Sequence, residues 1–529
     1  MAAASSNRVS ARATGVVGIA ILCSRILGLV REIIIASLFG ASRGLDAFLT
    51  AFRAPNMLRD LFAEGALSTA FVTTFSKKIQ TEGDQSAWGL ANKVATLTVV
   101  FMSVVVVIGV LIAPLLVAAL APGFDAEKAA LTVVLARVMY PFILLVSLAA
   151  LVMGMLNAKN VFGMPALASS FFNIGSIIGG VALGWWMDPN FGTRALIGLA
   201  MGTLVGGFMQ LAVQIPSLLK VGYRFRPDFA WRDEGVRKVL QLMGPAVIAA
   251  SAVQVNVLIN SIFASYLQDG AVSWLNIAFR LMQLPLGIFG VAVATVTLPL
   301  VSRSAAAGNI PEFRGALAHA IRLVMLLTIP SAIGLIILAN PIIALIYEHG
   351  RFTAASTAQT AAALQFYALG LVGYSAVKVL APAFYALDRR NLPMIVSLVS
   401  IALNVALNWT LTFRLGLGHR GLALSTSVVA ITNFVALYIL MRRYAGRLES
   451  GLMLQTFAKL MIAGACLGAV CWFGTRFFFG SGIPDSELHK AIGVLTTVVL
   501  GGAVFFAVAY LLRVTELRDL VEVVRRKLR

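Results

Sequence analysis

The chain has 529 residues, 59% of them hydrophobic and only 12% charged, and its 42 lysines and arginines against 22 acidic residues give a formal net charge of +20. A soluble domain carries about 25% charged residues, so this composition excludes a soluble globule and specifies an all-α polytopic membrane protein. Four scattered histidines, three cysteines in apolar runs (Cys23, Cys466, Cys471), and the lack of a Gly-Lys-Ser/Thr loop or a His-Glu-x-x-His run argue against a metal centre, a disulfide framework and nucleotide hydrolysis.

A bilayer-spanning helix needs about 20 mainly apolar residues. Fourteen such spans are predicted, with cores near 14–38, 45–74, 94–120, 130–156, 161–184, 195–218, 239–266, 272–300, 317–346, 358–386, 392–413, 421–441, 457–479 and 491–512. Arg8 and Arg12 before the first span resemble a signal-peptide start, but the apolar run continues through Arg25 and Arg31 without a small-x-small cleavage site, so an uncleaved first helix is expected. If the amino terminus is cytoplasmic, that side receives 27 basic residues and the opposite side 8, with 7 inside the spans. This positive-inside bias places both termini in the cytoplasm and assigns the net charge to topology and anionic lipid contact, not to nucleic-acid binding.

The spacing also contains a duplication. Ala51-Phe52-Arg53 recurs as Ala278-Phe279-Arg280, an offset of 227 that also relates Pro114 to Pro341, Gly123 to Gly350 and Tyr140 to Tyr367, while 228 relates Pro165 to Pro393. Six helices per copy is an even number, so both copies enter the membrane from the same side as a parallel repeat. The expected organisation is an N-lobe over 1–222 (helices 1–6), a C-lobe over 223–445 (helices 7–12), and an appended pair of helices with a basic tail over 446–529.

An ionisable side chain in hydrocarbon costs several kcal/mol unless it is paired or hydrated, so its default reading is functional. The spans hold Arg25, Arg31, Arg53, Arg59, Arg137, Arg280 and Lys378 against Glu32, Asp46, Asp60 and Glu64. Arg25 and Arg31 lie about 120° and about 9 Å apart on a helix, so both can border one cavity without forming a tight fork. Asp46, Arg53 and Asp60 follow at seven-residue intervals, with Pro55 permitting a kink among them and Arg59 projecting elsewhere. A cavity with spare guanidinium groups suits a phosphate or pyrophosphate; alternatively each arginine is neutralised by a neighbouring carboxylate, least readily Arg280, which has no local acid. Asn256 with Asn260, and Asn404 with Asn408, are i, i+4 amide pairs that serve either in interhelical hydrogen bonds or in ligating a monovalent cation such as sodium.

Ser24-Arg25-Ile26-Leu27-Gly28 through Arg31-Glu32, Asp46-Ala47-Phe48 through Pro55-Asn56, Arg59, Phe62-Ala63-Glu64-Gly65-Ala66, Phe279-Arg280-Leu281-Met282-Gln283-Leu284-Pro285 and Lys378-Val379-Leu380-Ala381-Pro382 resemble the MurJ (MviN) family. These are lipid II flippases within the multidrug/oligosaccharidyl-lipid/polysaccharide exporter superfamily, and the similarity runs through essentially the whole chain. The resemblance implies two six-helix lobes plus helices 13 and 14, the latter forming an apolar groove for a polyprenyl tail. It also implies that Arg25, Arg31 and Arg280 contact the lipid-linked pyrophosphate and that helix 2 requires Asp46, Arg59 and Glu64. Phe279 and Gln283 stand where some members carry acids, so a carboxylate gate there must be rebuilt, with Glu32 the candidate.

The resulting expectation is a flippase moving lipid II from the inner to the outer leaflet of the bacterial cytoplasmic membrane by alternating access, with no covalent chemistry and no cofactor. Its drive is membrane potential, a monovalent counter-ion or consumption of the substrate outside. The partners expected are lipid II, membrane lipids and cell-wall synthesis enzymes. The rival readings are a same-fold exporter of another polyprenyl-pyrophosphate-linked glycan, a drug exporter, which would favour acids in its cavity, a polyprenyl-phosphate membrane enzyme, which would need an acidic metal site, and a scaffold for cell-wall enzymes.

Overall fold

The computed structural model describes residues 11–480, 482, 484, 486–519 and 522, with side chains for all of these except 11–16, 63–66, 248–250, 252 and 253. Among the described residues every regular element is helical. We number the helices α1 (Ala11–Phe39), α2 (43–82), α3 (Asp84–Leu111), α4 (Ala126–Ala158), α5 (Gly163–Met187), α6 (Ala195–Lys220), α7 (Glu234–Ser265), α8 (Ala271–Ala306), α9 (Ile310–Ile337), α10 (354–386), α11 (Asn391–Arg414), α12 (His419–Ala445), α13 (Ser450–Phe479) and α14 (Glu487–Leu511). Ten of them are long and apolar enough to cross a membrane, and α10, bent by 43° around Gly370, makes an eleventh. The other three, α1, α2 and α7, are helical where the sequence predicts spans. Large apolar side chains such as Trp186, Val296 and Phe477 are at least 76% exposed, a surface suited to lipid and not to water.

Helix boundaries repeat in the register of the sequence duplication. The third predicted span breaks at Ile112 ahead of Pro114, and the ninth at Leu338 ahead of Pro341, each break starting a short separate helix (Ala113–Leu120 and Ala339–Tyr347). Within α2 the backbone widens to a π-helix over Arg59–Leu67, and within α8 over Leu286–Gly290, so both wide turns begin 227 residues apart. Each follows a proline, Pro55 or Pro285, whose missing N–H already interrupts the ladder.

The chain divides at Val272/Ser273 into two compact units. This boundary falls later than the 222/223 junction expected from the repeat, because α7 packs within the first unit. Its Val236 and Val239 join a core with Phe75, Leu90 and Tyr223, Leu258 packs by Tyr140, and Ser265 Oγ accepts the Gly123 N–H at 3.0 Å.

In the first unit the closest helix pair is α5 with α6, meeting along glycines. A Cβ on Gly202 would lie 2.3 Å from Gly180 backbone atoms, and one on Gly198 would lie 2.4 Å from the Gly184 nitrogen. Close backbone approach of this kind replaces hydrophobic driving force inside a bilayer. In the second unit α8, α9, α10, α12, α13 and α14 share one apolar core that includes Val301, Ile321, Phe384, Met441, Leu460 and Phe505. The appended pair therefore belongs to the body of this unit. Gly202→Leu should lower the thermal midpoint of the detergent-solubilised protein by forcing α5 and α6 apart, at a cost of about 1–3 kcal/mol, whereas the same change at Gly18, which faces open space, should have little effect.

Candidate functional site

The arginine cluster of α1 is positioned by α5. Asn173 donates through Nδ2 to the Ser24 carbonyl at 3.1 Å and to its own Ser169 carbonyl at 3.1 Å, and Gly28 opposes the same amide, where a Cβ would sit 3.6 Å from Nδ2. Arg25 and Arg31, three residues to either side of Gly28, thus flank the contact line. Arg25 is exposed; Arg31 and Glu32 are half-buried, and the Arg31 guanidinium lies 5.1 Å over the Phe172 ring. A guanidinium at that distance from a ring face gains a cation–π attraction.

Helix α2 starts at a cap formed by Ser42, whose Oγ accepts the Leu45 N–H at 3.3 Å. One turn in, Asp46 is fully buried and its Oδ2 accepts the Gly270 N–H at 2.7 Å and the Lys128 ammonium at 3.1 Å. Lys128 also donates to Asp269 at 2.8 Å and lies 4.3 Å over the Phe124 ring. Arg43 pairs with Asp125 and reaches Glu127 at 3.5 Å and Asp269 at 3.7 Å. Hydrogen bonding to Arg43 holds the Asp125 carboxyl at about 2, so that pair persists through neutral pH and is lost only as pH falls through that value. This network fastens the turn at Asp269–Gly270, immediately before α8, to the starts of α2 and α4. Lys128 is the member that the sequence does not single out, its signal there being a lone lysine three residues after Asp125 at a helix start.

Farther along α2, Arg53 is half-buried. Arg59 pairs with Asp60 at 3.0 Å, and Asp60 in turn accepts Gln254 Nε2 of α7 at 3.3 Å. The Glu64 side chain lies outside the described residues. Arg137 donates to the Val110 carbonyl at 3.2 Å. In the second unit Arg280 is exposed on α8, six residues before the π turn; its neighbour Phe279 packs edge-on to Tyr367 at 5.3 Å, and Gln283 and Lys378 are exposed.

The amide pairs fall in different units. Asn256 and Asn260 are half-buried on α7. Asn404 and Asn408 are fully buried on α11, where Asn408 donates to Asn404 Oδ1 at 2.7 Å and accepts from Ser425 of α12. Asn408 Oδ1 thus serves a hydrogen bond between α11 and α12, and Asn404 Oδ1 one within α11. Within the described residues no group of three or more His, Cys, Asp or Glu is placed to hold a metal.

An apolar chamber of about 660 Å³ opens in the second unit between α9, α10, α12 and α13. Met325, Ile329, Ile333, Phe434, Met453 and Phe457 line it, and α14 contributes no lining residue. Of helices 13 and 14, α13 alone borders this chamber, and its other walls are α9, α10 and α12.

The family model "Lipid II flippase MurJ" matches residues 35–492. A lipid II flippase of Burkholderia cenocepacia is 34% identical over 498 residues, covering 93% of this chain and 95% of the relative, and a probable lipid II flippase of Rhizobium tropici is 36% identical, covering 94% and 93%. A solved lipid II flippase in an inward closed conformation aligns with a TM-score of 0.75 at 26% identity, covering 96% of this chain and 99% of the other. An inward-facing multidrug transporter of the MOP superfamily shares the fold, with a TM-score of 0.66 at 16% identity over 81% of this chain and 96% of its own.

Lys128→Ala should destabilise the protein by about 3–5 kcal/mol, because it strands the buried Asp46 carboxylate. Adding Asp46→Asn should recover part of that loss, and a double-mutant cycle on thermal unfolding measures the coupling.

Proposed function

We propose that this chain, which belongs to the lipid II flippase MurJ family, moves lipid II from the inner to the outer leaflet of the cytoplasmic membrane by alternating access. The observation that carries the reading is a set of guanidinium groups held in helices otherwise apolar enough to be membrane-embedded, in a chain whose relatives are named for that lipid. Arg25, Arg31 and Arg280 are the residues that contact the pyrophosphate, because arginine keeps its charge and offers donors matched to phosphate oxygens. Arg53 and Arg59 add positive potential, with Asp60 fixing Arg59, while Glu32, Asp46 and Glu64 are the gating or supporting acids.

The polyprenyl tail needs an apolar path beside that head-group route, and the chamber at Met325, Ile329 and Phe457 has the lining for it. At the opposite extreme of polarity, the Asp46–Lys128–Asp269 network acts as a latch on the turn before α8, holding one access state until head-group binding elsewhere shifts the balance. Membrane potential, a monovalent counter-ion or consumption of the flipped lipid outside supplies the drive, since the chain carries no phosphate loop. Both termini face the cytoplasm on the lysine and arginine distribution, and enzymes that consume the flipped lipid are the expected neighbours.

In vesicles containing the purified chain, lipid II head groups should become accessible on the far leaflet. Arg25→Ala, Arg31→Ala and Arg280→Ala should each slow this by about tenfold or more, the loss of a charge-assisted contact to phosphate, without lowering the amount of folded protein. Normal transport by all three variants counts decisively against the reading, and equal transport of an unrelated polyprenyl-pyrophosphate glycan reassigns the cargo. A photoreactive group at the end of the tail should label Met453, Leu454 or Phe457.

A further inference from the structure

One guanidinium holds both ends of the α13–α14 hairpin. Arg322 of α9, 6% exposed, donates through Nη1 to Glu449 at 2.5 Å, the residue immediately before α13, and through Nε to Glu516, which follows α14 and is fully buried. Glu449 sits at φ 46, ψ 44, a left-handed conformation uncommon for a residue with a side chain, at the junction its carboxylate anchors. One turn earlier on α9, His319 reaches Asp519 at 3.9 Å. The chain entering α13 and the chain leaving α14 therefore converge on the same stretch of α9. Farther along, α9 and α13 touch directly, where a Cβ on Gly464 would lie 2.4 Å from Ile333 Cδ1.

The clasp adjoins the apolar chamber. Met325, one turn beyond Arg322, lines it, as do Ser450 and Met453 just beyond Glu449, and Tyr438 and Ser450 close a hydroxyl pair at 2.9 Å. A buried arginine with two carboxylates is a poor source of stability, since apolar residues of similar volume commonly do as well, and its best-attested use is to fix one register.

We infer that Arg322 is a positioning residue for the lipid tail: by tying the start of α13 and the segment after α14 to α9, it sets the width of the chamber. The inference rests on the proposed flippase function and on the chamber as tail site. The tail touches only apolar walls, and Arg322 acts on it through the placement of α13.

The test uses the full chain in vesicles, with lipid II bearing its natural tail and an analogue whose tail is too short to fill the chamber. The native chain should move the long-tailed lipid faster. In Arg322→Gln the long-to-short rate ratio should fall by about tenfold, equivalent to about 1.4 kcal/mol of lost discrimination, and Arg322→Lys, which keeps one charge-assisted bond, should recover much of it. The triple change Arg322→Met with Glu449→Gln and Glu516→Gln leaves no charge buried and should fold while still losing the ratio. A folded variant with the native ratio, an equal loss for both lipids, or a triple variant that cannot fold overturns the inference, the last because it makes the clasp a stability element. A native chain that moves neither lipid overturns the flippase reading itself.

Discussion

A charge inside hydrocarbon must find a counter-charge, a hydrogen-bonding partner or water, and the architecture of this protein is arranged around meeting that demand unevenly. Asp46 and Lys128 are both buried and satisfy one another together with Asp269 and the Gly270 N–H. Arg59 is met by Asp60, Arg137 by the Val110 carbonyl and Arg322 by two glutamates. Arg25 and Arg280 lie on exposed faces of their helices. In a bilayer such faces are tenable beside water or an anionic ligand.

Small residues do the complementary work of placing the charged helices. Glycine contacts bring α5 and α6 to backbone distance, α5 then holds α1 through Asn173 at Ser24 and Gly28, and Arg31 settles over Phe172. A methyl group added at the α5–α6 seam would thus be felt at the α1 arginines without touching them. Two of the three π segments among the described residues, at Arg59–Leu67 and Leu286–Gly290, fall in the same register of each repeat and lie close in sequence to Arg53 and Arg280. Wide turns of this kind have weaker ladders than α-helix, which suits segments that must change shape while neighbouring seams stay rigid.

The second unit joins the appended helices to its own core by both means: a glycine seam against Ile333 and an ionic clasp at Arg322. The apolar chamber walled by α9, α10, α12 and α13 therefore opens at the surface of one packed body.

The amino-acid sequence by itself determined the all-α membrane class, the helical segments, the duplication register and the arginines of α1 and α8, because hydropathy, helical period and charge placement are properties of neighbouring residues. The partners were decided only by tertiary structure. Asp46 and Lys128 are 82 residues apart, Arg322 and Glu516 are 194 apart, and nothing local in either stretch specifies which helix will arrive opposite. For the same reason the repeat suggested a boundary after residue 222, whereas α7 packs with the first unit through Leu258, Gln254 and Ser265. Spacing fixes which face of a helix a residue occupies; only packing fixes what that face meets.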